Sequence, residues 1–274
     1  MKIISLSENT TNQESLGTEH GLSLYIETEK NKILFDTGAS GLFYENAQKL
    51  GVNLSDVEIA VISHGHYDHG GGIKTFLSVN SKAKIYINKR AFNKHYAKRP
   101  NGELEYIGLD QTIMPDERII LTDDYYKISE ELELFSNVEG NDFVPSGNKS
   151  LLMQSEGTQV ADSFSHEQNM IIHEKDKTLL LAGCAHRGIV NIINHMKIKL
   201  IKEADYVIGG FHLYNAANGK SEDKEVVKKI ADYLMKTKSI YYTCHCTGVE
   251  SYKLLKKYLG DKIRYLSAGS QITI

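Results

Sequence analysis

The sequence predicts an α/β fold with mixed sheets, and three observations carry the prediction. Short β-branched or alternating apolar runs recur along the chain, stretches of helical period lie between them, and two pairs of runs sit close enough to form hairpins. Residues 21–28 (GLSLYIET) alternate, and 32–35 (KILF) follow after a Glu-Lys-Asn turn. Residues 57–63 (VEIAVIS) have the continuous apolar, β-branched character of a buried strand. Residues 84–87, 170–173, 178–182, 205–208 and 239–243 read the same way. Among the helical stretches, Phe43, Ala47 and Leu50 share one face, and 188–196, 226–235 and 249–259 space their apolar residues by three and four. Thr247 is placed to cap the last of these helices.

The length of 274 residues allows one large domain or two small ones. We read a single domain over 1–274 with an insertion or lid at about 88–147, where Pro100, Pro115 and Pro145 gather. That stretch also holds the basic run Lys89, Arg90, Lys94, His95, Lys98 and Arg99, read as a solvated face, with steering of an anionic substrate as the alternative. With 32 basic and 35 acidic residues the net charge is −3, which gives general nucleic-acid binding no electrostatic support. No apolar run approaches the ~18 residues of a membrane span, and residues 1–15 lack the apolar core of a signal peptide. Three cysteines do not make a disulfide framework. These features predict a reducing, cytoplasmic setting and a small-molecule partner, with no nucleic acid and no membrane; a homodimer stays open.

The chemistry concentrates where 57–63 runs into His64-Gly65-His66-Tyr67-Asp68-His69, followed by Gly70-Gly71-Gly72. Four side chains of metal-ligand type fall within six residues at a strand end. There His64 and His66 can share one ion while Asp68 and His69 reach a neighbouring one. The glycines permit close backbone approach on the way into a helix.

This segment resembles the His-x-His-x-Asp-His signature of the metallo-β-lactamase superfamily. Phe35-Asp36-Thr37-Gly38 matches its early Asp-x-Gly turn, Leu180–Cys184 its later strand that usually ends in Gly-Asp, and 240–245 (IYYTCH) its final strand ending in a ligand histidine. Within the superfamily, Glu19–Ser23, Gly183–Gly188, Gly209–Leu213 and Cys244–Gly248 resemble a branch labelled as synthases joining a dihydropterin to a ribofuranosyl-aminobenzene phosphate. The resemblance implies a four-layer αββα sandwich with the site at one edge between two sheets. It implies two divalent ions, zinc above manganese or iron, held by His64, His66, Asp68, His69, His166, Cys184 and His245, with Asp36 supporting the ligands from behind. At the third ligand of the first ion, Asp162 or Glu167 competes with His166, which lies 18 residues before Cys184. Cys184 stands where the family has a bridging Asp; it is a thiolate ligand or a small buried core residue.

The function expected is hydrolysis by a metal-bound hydroxide of a phosphoester or another anionic small molecule. Asp68 orients the nucleophile, and His212 or His186 protonates the leaving group. His186 and Arg187 open the helix at 188–196, where N–H groups and the dipole suit an anion; Arg187, His212, His20 and Thr247 are the expected substrate contacts. His95, His173 and His195 read as structural or surface residues. The alternatives are a pterin-transferring synthase, a single-iron redox enzyme, or a non-catalytic metal sensor.

Overall fold

The protein is described by a computed structural model covering residues 1–274. Its chain forms two compact units. The first comprises Met1–Asn93, Gly108–Asp124 and Leu266–Ile274; the second comprises Lys94–Ile107 and Tyr125–Tyr265. The stretch 88–147 thus contributes to both.

The first unit is built on a seven-stranded sheet, in the order Gln271–Thr273, Lys2–Ser7, Ser23–Glu27, Lys32–Phe35, Ile59–Ile62, Lys84–Asn88, Ile119–Thr122. The first three pairings are antiparallel and the last three parallel. The hairpin expected at 28–31 forms, closed by Thr28 N–H donating to Asn31 O at 2.9 Å. Parallel neighbours need crossovers, and helices Leu42–Lys49 and Ile73–Val79 provide them. Their apolar faces (Phe43, Ala47, Ile73, Phe76) pack on Leu34, Ala60, Ile62 and Ile85.

The second unit repeats this logic. Its sheet runs Ile263–Tyr265, Ile240–Thr243, Tyr206–Gly209, Lys177–Leu181, Gln168–Glu174, Leu132–Ser136, Tyr125–Lys127. The first three pairings are parallel and the rest antiparallel. Helices Ile189–Lys199, Lys224–Met235 and Val249–Leu259 cover the core around Leu180, Val207 and Tyr241. A smaller antiparallel sheet joins Thr158–Ala161, Leu151–Ser155, His95–Lys98 and Leu104–Tyr106. Each unit is therefore a mixed sheet with its own helices, as the α/β expectation requires.

One local expectation is corrected. The N-cap of Val249–Leu259 is Gly248, at φ 72°, and not Thr247. The hydroxyl of Thr247 is instead fully buried, accepting from Phe211 N–H at 2.8 Å and pairing with Thr243. No helix is long and apolar enough to cross a membrane.

Candidate metal and catalytic site

In the first unit, strand Ile59–Ile62 delivers Ser63 and His64, and the short helix Tyr67–Gly70 begins at its N-cap His66. His64 and His69 are fully buried; His66 and Asp68 are nearly so. The His64 ring centroid lies 4.6 Å from that of His66 and 4.1 Å from that of His69. The sequence-predicted quartet is thus one buried group.

Asp36 organises it. This residue holds an uncommon left-handed backbone, φ 61°, which turns its carboxylate under the histidines. One oxygen accepts Ser63 N–H at 2.6 Å; the other accepts Ser63 Oγ–H at 2.8 Å and lies 2.6 Å from His69 Nδ1. A carboxylate accepts only, so His69 carries its proton on Nδ1 and its lone pair on Nε2. Ser63 has spent its one proton on Asp36, so at 2.9 Å it accepts from His64 Nδ1–H, and His64 likewise keeps its lone pair on Nε2. A carboxylate or hydroxyl behind one ring nitrogen, with the other left as donor atom, is the arrangement that metal-ligating histidines require. The donor set therefore fits a divalent ion.

Two further contacts complete this group. His20 Nε2 lies 3.3 Å from Asp68 Oδ2, while its Nδ1 is 3.1 Å from Asn9 Nδ2. Glu19 accepts from Ser7 Oγ, Ala39 N–H and Ser40 Oγ, which fixes the turn following Asp36. A Cβ on Gly71 would stand 2.2 Å from Ala39 O, so the polypeptide must be bare where this turn meets the helix.

The second unit holds its own donors. His95 Nδ1 lies 2.8 Å and His166 Nε2 3.3 Å from the same oxygen of Asp162, with the two rings 4.1 Å apart. All three side chains are buried. Burial disfavours the Asp162 anion, but the hydrogen bonds from His166 and His95 prevail and hold its carboxyl well below the usual range. His166 and Asp162, weighed against each other for one ligand position, lie side by side. His95, read from sequence as structural or surface, joins them and presents the tautomer of His69: Nδ1–H on a carboxylate and the lone pair on Nε2. No local signal marks it, because Asp162 lies 67 residues away.

His186 is fixed by a residue the sequence did not reveal. Asn148 Nδ2 donates to His186 O at 2.7 Å, which orients the amide so that its Oδ1 accepts His186 Nδ1–H at 3.0 Å. The imidazole also stacks on Phe164 at 4.5 Å between centroids. His212 is half-buried, its ring 4.2 Å from that of His186. The anion site expected at 186–187 is occupied from within the chain. Glu167 accepts the N–H groups of His186 at 2.6 Å and Arg187 at 3.0 Å. The Arg187 guanidinium donates to Val138 O and Gly140 O, which tethers it to the backbone through Nε and Nη2. Burial pushes the Glu167 carboxyl up to about 7 against the pull of the Arg187 and His186 N–H groups. His245, buried at φ 50°, and Cys184 close the second set.

Fold and donors together define an α/β protein with His/Asp groups that could hold metal, and the chain belongs to the metallo-β-lactamase superfamily, whose sequence model matches residues 16–192. Among individual proteins, it is 28% identical over 295 aligned residues to the 7,8-dihydropterin-6-methyl-4-(β-D-ribofuranosyl)-aminobenzene-5'-phosphate synthase of Methanocaldococcus jannaschii, covering 99% of this chain and 96% of the relative. It is also similar to a solved metal-dependent hydrolase of the β-lactamase superfamily, with 27% identity, TM-score 0.83, and 100% and 99% of the two chains covered. Zinc-bound PqqB from Methylobacterium extorquens shares the fold at 12% identity and TM-score 0.58, with both chains covered in full.

Proposed function

We propose that the chain is a metal-dependent hydrolase acting on a phosphoester or another anionic small molecule. The observation that carries this reading is the protonation pattern imposed by Asp36 and Ser63, which leaves the Nε2 lone pairs of His69 and His64 as donor atoms in a buried group. His64, His66, Asp68 and His69 would hold metal, with His95, His166 and His245 as the donors of the second unit. A divalent ion so bound supplies Lewis acidity and lowers the pKa of water toward neutrality.

The remaining work falls to the chain. Asp36 keeps His69 in one tautomer and orientation, and Ser63 does the same for His64. His20 donates from Nε2 to Asp68, which fixes the carboxylate. His186, locked by Asn148 through Nδ1, is suited to carry a proton on Nε2 and release it to a departing group. An anionic substrate is favoured by the curated relative, whose name carries a 5'-phosphate, and hydrolysis by the solved relative's description.

The same curated name supports a second reading, a transferase of the pterin type. One experiment separates the two. The purified protein is analysed for metal per chain, then offered phosphoesters and, separately, a dihydropterin pyrophosphate with and without an aryl acceptor. Phosphoester turnover that disappears in His66→Ala supports the hydrolase. Pyrophosphate consumption only with acceptor replaces it by the transferase. Turnover that survives His66→Ala belongs to another site and overturns both.

A further inference from the structure

Three neighbouring parallel strands of the second unit, Lys177–Leu181, Tyr206–Gly209 and Ile240–Thr243, each lead at their carboxyl end to a soft or borderline donor. These are Cys184, His212 and Cys246. Their ligand atoms all lie within 4.8 Å of one another. The carboxyl ends of adjacent parallel strands are where open α/β sheets place ligands. We infer that Cys184, His212 and Cys246 form a thiolate–imidazole metal site within the second unit, which takes one thiophilic d10 ion such as Zn2+.

The local backbone is shaped around the sulfurs. A Cβ on Gly210 would stand 2.4 Å from Cys246 Sγ and 3.1 Å from Gly183 O, so only a bare residue leaves the sulfur its place. A Cβ on Gly209 would meet Ala182 O at 2.1 Å, so the strand carrying His212 approaches the strand carrying Cys184 as closely as a backbone can. His212 holds φ 49° and Ala185 φ 55°, both in the left-handed region that a side chain adopts only under constraint. His212 Nδ1 is buried without a hydrogen-bond partner. Cys246 donates to Cys184 O at 3.5 Å, a weak bond that a metal replaces when the thiol gives up its proton.

Geometry and donor type agree. A tetrahedral zinc with Zn–S near 2.3 Å sets its ligand atoms about 3.5–3.8 Å apart, and these three lie no more than 4.8 Å from one another. Two sulfurs and one imidazole leave a fourth position open, and thiolates select zinc or cadmium over manganese or magnesium. The assignment gives Cys184 a thiolate partner instead of the place of a bridging carboxylate. It does not depend on the hydrolase reading.

The test uses the full chain, stripped of metal and titrated with Cd2+. The first equivalent should raise a near-ultraviolet thiolate-to-metal band, with X-ray absorption counting two sulfur neighbours. Cys246→Ser should at least halve the band and weaken Cd2+ at least tenfold, Cys184→Ser should do the same, and His212→Gln should weaken binding while keeping both sulfurs. A Cys246→Ser protein with unchanged band and affinity overturns the site, because Cys184 then acts without it. Should the cysteine variants not fold, the wild-type absorption spectrum still decides: one sulfur or none at the first equivalent overturns the proposal.

Discussion

Asp36 settles the protonation of two histidines with one carboxylate, directly at His69 and through Ser63 at His64. Asp36→Ala should therefore weaken metal binding by about 10–100-fold while His64, His66, Asp68 and His69 all remain; equilibrium dialysis reads this. Tyr241 provides a prediction that involves none of the donors. Burial pushes its phenol up to about 12, against the pull of hydrogen bonds from Thr237 and Ser239. A pKa raised on folding adds stability below the unfolded value near 10, and that stability is lost as pH rises through 12. The loss amounts to about 2–3 kcal/mol at most. Urea unfolding at pH 8 and pH 11 should show a smaller difference for Tyr241→Phe than for the native chain. At the residue scale the sequence was most informative where function is contiguous: His64, His66, Asp68 and His69 sit on one turn and could be read together. His95 and Asn148 could not be. Their partners Asp162 and His186 lie 67 and 38 residues away, so only folding reveals the contact. Arg187 is a different case: its side chain reads as suited to an anion, and folding adds two backbone carbonyl partners that the sequence does not announce.

Elements position these residues through backbone proximity. The turn after Asp36 and the short helix Tyr67–Gly70 are joined by Thr37 N–H to His69 O at 2.7 Å and Gly71 N–H to Gly38 O at 3.0 Å. A methyl at Gly71 would press on Ala39 O, which as backbone cannot move aside like a side-chain tip. Gly71→Ala should thus displace the helix and reduce metal affinity at least tenfold, while circular dichroism keeps its α/β shape. Helix Lys224–Met235 offers a contrast, because it contributes no donor. Its N-cap Asp223 accepts from Glu225 N–H at 2.8 Å, so Asp223→Ala should lower stability by about 1 kcal/mol and leave metal binding intact. Denaturant midpoints compared with metal titrations check both. The element pattern was legible because apolar period reports it directly. The caps were less so: Thr247 has the right residue type for an N-cap, but burial gave its hydroxyl to Phe211 N–H.

At the scale of the whole molecule, the proposed metal would be linked to folding. An ion bound by donors that exist only in the folded chain stabilises by about 2.7 kcal/mol when present at 100 times its Kd. Chelation should accordingly lower Tm, and re-addition of Zn2+ should restore it in proportion to the logarithm of its concentration; scanning calorimetry measures this. A Tm indifferent to chelation would mean that the buried donors do not carry a resident ion.

The sheet of the first unit contains a further consequence. Its edge strand Gln271–Thr273 pairs with Lys2–Ser7, and the Met1 ammonium donates to Ile274 O at 2.9 Å. The whole of Tyr125–Tyr265 intervenes before Leu266–Ile274 returns to that unit. On the ribosome, the amino-terminal strand therefore emerges long before its partner exists. Until synthesis reaches residue 271, the edge of Lys2–Ser7 displays unsatisfied amides and carbonyls, a template for pairing with another nascent chain. Translation speed between residues 8 and 271 thus bears on yield, and cooling during expression should favour soluble protein over inclusion bodies.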